Sequence, residues 1–445
     1  MRTPIVDFVA QYAKADGVRF HMPGHKGVNF LGVEALDITE IEGADVLGSA
    51  DGIIAESERN ASNLFGTAHS FYSTEGSTLC IKAMLALATM ENNGERPLIL
   101  AARNAHKAFM YAAALLDLDV EWIYPQDGEH LCGCRVSAET IERKLSEMQR
   151  KPDAVYLTSP DYLGNIADVA GISAVCDAHG VPLLVDNAHG AYLNFLSPSQ
   201  HPIALGATMC CDSAHKTLPV LTGGAYLHVS KRAGSEILLS ARDRLALFAS
   251  TSPHYLVLQS LDLCNRYLTD GYTQRLAACI EKINCVKQKI ASYGFFVEDC
   301  EPLKIVIRAT RSGYAGKEIA AILREGGVEV EFADGEYVVL MATPENTDAD
   351  FERLLSILSQ TPQKTPISDA APIAVARGVM RMSIRRAMLA ASELVPIDAA
   401  VGRICAAPTV SCPPAIPIVI SGEEIPKESV KLLRRYGIKT LRVVR

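Results

Sequence analysis

The run Asp212-Ser213-Ala214-His215-Lys216-Thr217 holds the first residue of this chain with distinctive chemistry to offer, Lys216. It follows a short apolar strand, Ala207 to Cys211, and precedes the glycine-rich stretch Thr222-Gly223-Gly224. A lysine just past a strand end, beside a hydroxyl and a histidine, is a candidate for forming a Schiff base, which needs its amine neutral at some stage. Upstream, Leu183-Leu184-Val185-Asp186-Asn187-Ala188-His189 reads as a second apolar strand ending in an acid. An aspartate that keeps a pyridine nitrogen protonated, followed by a lysine that forms an imine, is the pairing that pyridoxal phosphate chemistry needs. Each has an ordinary explanation alone, Asp186 as a turn or capping acid and Lys216 as a solvated cation. Together, in this order, they make a cofactor enzyme the leading expectation.

A phosphate would need its own cradle. Glu75-Gly76-Ser77-Thr78 precedes an apolar helical run, Leu79 to Met90. Such a helix start offers backbone N–H groups, two hydroxyls and a favourable dipole, although a plain helix cap uses the same residues. His106 falls at the start of a helix expected over Ala105–Leu118, after a strand over Pro97–Ala102. It could stack on a pyridine ring, or be a solvent-exposed histidine at a helix start.

The elements that must position these residues alternate between strand and helix. Expected strands are Ser70–Ser73, Pro97–Ala102, Val120–Tyr124, Ala154–Thr158, Val181–Val185, Ala207–Cys211 and Ala225–Val229. Between them lie helical stretches such as Ser137–Met148, with Ser137 as N-cap, and Ile172–His179. Strand-helix alternation implies a doubly wound, mostly parallel α/β sheet, whose ligands bind beyond the strand carboxyl ends. A long helical region, Pro253 to Tyr293, leads to a small α+β unit with strands at Leu303–Ile307, Val328–Phe332 and Tyr337–Met341. The expected organisation is a large domain over 1–295, a small domain over 296–360, a linker over 361–371 and a C-terminal domain over 372–445.

Composition limits the function classes. The chain has 445 residues and a formal net charge of −8, with no basic block of the kind that marks a nucleic-acid binder. Its 12 cysteines show no metal-ligand rhythm. Cys132-Gly133-Cys134 with His130 is the one tight cluster, read as free thiols in a loop, so no metal is expected. Met1 to Gly17 lacks a signal-peptide pattern and no stretch is apolar enough to span a membrane, so a cytoplasmic enzyme is expected.

Beyond the lysine and the aspartate, the motifs Phe20-His21-Met22-Pro23-Gly24-His25-Lys26-Gly27, Gly76-Ser77-Thr78, Arg103-Asn104-Ala105-His106-Lys107, Asp186-Asn187-Ala188-His189-Gly190 and Ser213-Ala214-His215-Lys216 occur in this order. With Ser250-Thr251-Ser252-Pro253 and the C-terminal Pro413-Pro414-Ala415-Ile416-Pro417, the chain resembles the Orn/Lys/Arg decarboxylase family over nearly its whole length. That resemblance implies the aspartate-aminotransferase fold (fold type I of the pyridoxal-phosphate enzymes) and decarboxylation of arginine, lysine or ornithine to the amine and CO2. It implies that Lys216 carries the imine, Asp186 pairs with the ring nitrogen, His106 stacks on the ring and His189 sits beside it. Gly76, Ser77, Thr78, Ser213 and His215 would surround the phosphate and the imine. Thr251 and Ser252 would reach the cofactor of a neighbouring subunit, which makes a homodimer with shared active sites the minimal unit. The length leaves no room for the N-terminal wing domain of the longer members, so no decamer is expected.

Several residues depart from the family pattern: Asn187 where Glu is frequent, Tyr192, Val28, Arg386, and Cys412 and Ala415 around the Pro-Pro motif. They bear on substrate identity more than on cofactor binding. For a distal substrate cation the expected acidic partner is Glu329, Glu331 or Asp334, with Glu331 favoured. The alternatives are an aminotransferase or β-eliminating lyase on the same fold, and a non-catalytic regulator that binds pyridoxal phosphate.

Overall fold

The computed structural model describes residues 1–15, 17–90, 94–126, 129–367, 375–408 and 414–445. Seven short strands carry the alternation: β1 (His69–Ser73), β2 (Leu98–Ala102), β3 (Asp119–Ile123), β4 (Ala154–Thr158), β5 (Leu183–Asp186), β6 (Met209–Asp212) and β7 (Ala225–Val229). The sheet order is β1-β7-β6-β5-β4-β2-β3. Pairs β2–β3, β2–β4 and β5–β6 are parallel, while β7 runs antiparallel to β1 and β6. This is the mostly parallel α/β sheet that the alternation implies. Every residue of β5, β6 and β7 is buried, which is why these strands read as apolar runs and not as alternating patterns.

The chain divides into two compact units, residues 1–92 with 169–274, and 93–168 with 275–445. In the first, the helices Ile53–Phe65 and Tyr255–Thr269 bury one face each, while the Gly76–Ala88 helix is buried on nearly all sides from Leu79 to Leu87. Ile54, Phe65, Cys80, Met84, Val185, Tyr226 and Leu258 belong to its apolar core. Gly66, at φ 67°, ends the Ile53–Phe65 helix in the left-handed conformation that glycine adopts without strain.

The second unit contains a small antiparallel sheet of β8 (Lys304–Arg308), β9 (Phe332–Ala333) and β10 (Tyr337–Met341), in the order β8-β10-β9. Its C-terminal part holds two ribbons. One pairs β11 (Val379–Met380) with β13 (Glu423–Glu424), the other β12 (Ser392–Pro396) with β14 (Thr440–Val444). These elements share one apolar cluster that includes Val306, Val339, Cys405, Ile418, Leu433 and Val443. Arg103 ties this part to the end of β2. Its guanidinium donates to the carbonyls of Pro417 (2.7 Å) and Ile418 (3.0 Å) and lies over the ring of Trp122.

Three elements differ from the sequence expectation. The helical region from Pro253 is two helices, Tyr255–Thr269 and Tyr272–Ser292, parted at Gly271 with φ 67°. The strand expected over Val328–Phe332 is reduced to Phe332–Ala333, since Glu329 and Glu331 face solvent after the Gly326-Gly327 turn. A helix over Ser235–Ala246 also stands where none was expected. Of the stretch 361–371, residues 368–371 lie outside the described residues; Ile367 N–H bonds the Thr310 carbonyl at 2.9 Å. Among the described residues, no helix is long and apolar enough to cross a membrane.

Candidate active site

Strands β5 and β6 lie side by side with Asp186 opposite Cys211 in register. Both strands end in a buried acid, Asp186 and Asp212. The Oδ1 of Asp186 receives the Ala188 N–H at 3.3 Å and the Cys211 thiol at 3.6 Å. Burial pushes the Cys211 thiol far above its ordinary value, so it stays protonated and can donate.

Past β6 the chain makes one short helical turn, Ala214–Thr217, closed by Leu218 N–H to the Ala214 carbonyl at 2.8 Å. Lys216 therefore projects from a fixed turn. Its Nζ lies 3.0 Å from His189 Nε2, so the ammonium donates to that nitrogen. His189 follows Asp186 in the turn after β5 and is buried. Ser213 Oγ donates to Ser77 Oγ at 2.8 Å, which sets the start of the Gly76–Ala88 helix beside the lysine turn.

That helix start has the features of an anion cradle. Gly76 sits at φ 69°, with open space where a Cβ would project, and its N–H bonds the Gly223 carbonyl at 2.7 Å. Gly223 is at φ 100°, and a Cβ there would meet the Thr74 carbonyl at 2.8 Å, so the loop approaches this closely only with glycine. The N-cap residue, Glu75, gives no side-chain cap; its Oε1 accepts the Ser250 N–H at 2.7 Å instead. The first N–H groups of a helix lack intrahelical partners and favour an anion. Next to them, His215 Nδ1 donates to the Gly224 carbonyl at 3.0 Å. Burial first, and the charge of Lys216 after it, lower the pKa of His215 and favour the neutral ring. Hydroxyls, helix N–H groups, a neutral imidazole, a lysine amine and a buried carboxylate match the phosphate, aldehyde and pyridine nitrogen of pyridoxal phosphate.

The remaining expected site residues are placed as follows. Thr251 and Ser252 are exposed, in the segment that Ser250 ties to Glu75. His106, in the other compact unit, is the N-cap of the Lys107–Leu115 helix, its Nδ1 accepting the Ala108 N–H at 3.1 Å. The three acids considered for a substrate cation all have partners. Glu329 pairs with Arg324 at 3.0 Å, and Glu331 accepts from the Tyr162 hydroxyl at 2.6 Å. Asp334 accepts from His130 Nε2 at 2.7 Å, from the Tyr436 hydroxyl at 3.2 Å and from two backbone N–H groups.

His130 thus engages Asp334 through Nε2, while its Nδ1 accepts the Cys132 backbone N–H at 3.2 Å. Burial opposes ionisation of Asp334, but His130 and the backbone donors outweigh it and hold the carboxyl at about 2. A carboxyl held below its ordinary 3.8 stabilises the fold above that pH and loses the contribution as the pH falls through its folded value. Wild type is expected to exceed Asp334→Asn by about 2 kcal/mol at neutral pH. In urea denaturation that gap should close as the pH drops from 3.8 towards 2. A gap independent of pH would assign the effect to shape and not to charge.

Sequence reasoning missed Asp212, although the signal that marks Asp186, an apolar strand ending in an acid, marks it equally. Asp212 Oδ1 accepts from Asn187 Nδ2 at 2.7 Å, and Oδ2 from His201 Nε2 at 3.0 Å and His228 Nε2 at 3.1 Å. His201, Cys210 and Asp212 lie close enough to hold a metal ion. Their hydrogen bonds favour another use: His228 Nδ1 accepts from the Ser70 hydroxyl (2.8 Å) and His201 Nδ1 from the Ile203 N–H (3.4 Å). Both Nε2 atoms therefore carry hydrogen and donate to the carboxylate.

The departures from the family pattern also find places. Asn187 turns its amide to Asp212, and Tyr192 is fully buried. Ala415 sits at φ 60°, where glycine would be unstrained, and its carbonyl receives the Lys107 N–H. Val28 and Arg386 are exposed, and Cys412 lies outside the described residues.

Comparison with known proteins places this geometry. The model of the Orn/Lys/Arg decarboxylase major domain matches residues 3–311, and that of the Orn/Lys/Arg decarboxylase C-terminal domain matches 376–438. The chain belongs to the Orn/Lys/Arg decarboxylase family and is an enzyme of the amino-acid decarboxylase class. It is 31% identical to a Bacillus subtilis chain named uncharacterized protein YaaO, over 99% of this chain and 95% of that one. It is 30% identical to the arginine decarboxylase of Halalkalibacterium halodurans, over 100% of this chain and 98% of the relative. The lysine decarboxylase LdcF of Francisella novicida shares the fold with a TM-score of 0.80 at 16% identity, covering 100% of this chain and 81% of that structure.

Proposed function

We propose that this protein is a pyridoxal-phosphate decarboxylase that converts a basic amino acid to its amine and CO2, with arginine as the first substrate to test and lysine and ornithine next. The observation that carries the reading is the grouping of Asp186, His189 and Lys216 at the ends of β5 and β6, beside the Gly76–Ala88 helix start. The match to the family, and to a relative named arginine decarboxylase over both full lengths, supports it. When bound, pyridoxal phosphate supplies the electron sink that accepts the pair left by the departing carboxylate.

Each residue has a defined task in this reading. Lys216 Nζ holds the cofactor aldehyde, and His189 Nε2, 3.0 Å away, accepts the proton that the amine must shed. Asp186 orients the ring nitrogen and keeps a proton there. Gly76, Ser77, Thr78, Ser213 and His215 bind the phosphate. His106 covers the ring face, as the family resemblance implies, and Thr251 and Ser252 serve the cofactor of a second subunit.

A homodimer with shared sites belongs to the proposal. Phe20, Phe30 and Leu31 are 94%, 76% and 87% exposed, a concentration of apolar side chains in one segment that a second copy would cover. A cytoplasmic location and a product feeding polyamine supply complete it.

The test is to incubate cofactor-loaded protein with arginine, lysine and ornithine separately and to assay CO2 together with the organic product. CO2 with the matching diamine or agmatine is the expected result. Keto acid or ammonia would instead assign the site to an aminotransferase or a β-eliminating lyase. Bound cofactor without turnover of any amino acid would make the protein a regulator.

A further inference from the structure

We propose that Asp212 is a positioning residue for the lysine turn, a buried carboxylate whose charge raises the proton affinity of the cofactor-linked nitrogen of Lys216. The inference rests on the cofactor reading above and adds a residue to it.

Strand geometry puts Asp212 behind the site. Neighbouring residues of a strand point to opposite faces. Cys211 reaches Asp186 on one face, and Asp212 meets Asn187, the residue after Asp186, on the other. Asp212 thus bonds the chain just past β5, lies one residue before Ser213, and precedes Lys216 by a single helical turn.

Its surroundings leave the charge uncompensated. The three donors are the Asn187 amide and the two imidazoles, whose Nδ1 atoms are already used as acceptors, so both rings are neutral. Burial keeps the His228 pKa down, in line with that assignment. Burial opposes ionisation of Asp212 too, but its hydrogen-bonded partners His201 and His228 prevail and hold it well below the usual carboxylate range. The other titratable groups that feel it, the Cys80, Cys210 and Cys211 thiols and the Tyr226 phenol, are pushed up, first by burial, and stay uncharged. Among the described residues, the ion-pair partners of Asp212 are those two imidazoles, with no lysine or arginine. A fixed anion in a buried setting stabilises a proton on any nearby nitrogen.

The experiment loads the protein with pyridoxal phosphate and follows its visible absorbance band against pH. The midpoint of that titration reports the proton on the nitrogen of Lys216. Asp212→Asn is expected to lower it by about one pH unit, the effect of one charge some ~10 Å away at an effective dielectric of about 20. The variant has a route to folding, because Asn187 Oδ1 has no hydrogen-bond partner. By turning over, the Asn187 amide can accept the N–H of the new side chain. The exchange Asn187→Asp with Asp212→Asn keeps one buried charge and should restore the wild-type midpoint.

If Asp212→Asn does not fold, the apolar triple His201→Phe, Asp212→Leu, His228→Phe removes charge and donors together and should show the same fall. A midpoint unmoved by loss of the charge, or not restored by the exchange, overturns the role of Asp212 alone. A wild-type protein that develops no band at all overturns the cofactor reading, and this inference with it.

Discussion

Lys216→Ala is expected to abolish covalent capture of the cofactor and to lower turnover by at least about 10³-fold, since it removes nucleophile and proton carrier together. The geometry makes the change specific. Lys216 stands on a short closed turn, and its amine has a defined acceptor in His189 Nε2 at 3.0 Å. The Ser213–Ser77 contact and the backbone bonds of the turn do not involve the lysine side chain, so the fold and the phosphate cradle should survive. Borohydride reduction followed by peptide mass mapping should find the cofactor fixed at Lys216 in wild type and nowhere in the variant. Added pyridoxal phosphate should still bind the variant, noncovalently and more weakly. Turnover by Lys216→Ala at the wild-type rate would remove the lysine from the mechanism, and with it the central claim about this site.

How far the sequence could be read depended on how local each feature is. The ends of β5 and β6 were legible because an apolar run closing on a polar cluster reports both a buried strand and what it presents. Asp212 was lost by one residue, since the strand was ended at Cys211 and the acid assigned to the loop. The structure keeps that acid in the strand, where two histidines hold its charge against the cost of burial. The Ser235–Ala246 helix escaped notice because its leucines are not on one buried stripe: Leu239 is 81% exposed. The His130–Asp334–Tyr436 network was not legible at all. Its members are far apart in sequence, and only the folded chain brings them within hydrogen-bond reach. Asn187, read as a departure bearing on substrate choice, turned out to face Asp212. A residue type shows what a side chain can bond to, whereas strand register decides which face it occupies.

Asp186→Asn should lower kcat by about 10³-fold while KM changes by only about threefold, because the carboxylate acts in the transition state more than in substrate binding. The substitution keeps size and shape, and Asn Oδ1 still accepts from Ala188 N–H and the Cys211 thiol. What it removes is the charge that keeps a proton on the pyridine nitrogen, and an unprotonated ring is a poorer electron sink. Stability should change little, since asparagine keeps the shape and the Oδ1 acceptor of Asp186. Measuring kcat, KM and thermal stability on one preparation separates the two roles open to an acid at a strand end. If Asp186 only caps the turn after β5, asparagine, which serves as well at such positions, should leave kcat within about threefold of wild type. A large fall in kcat with stability unchanged instead makes the carboxylate's charge, and not its hydrogen bonds, the property that the end of β5 delivers to the site.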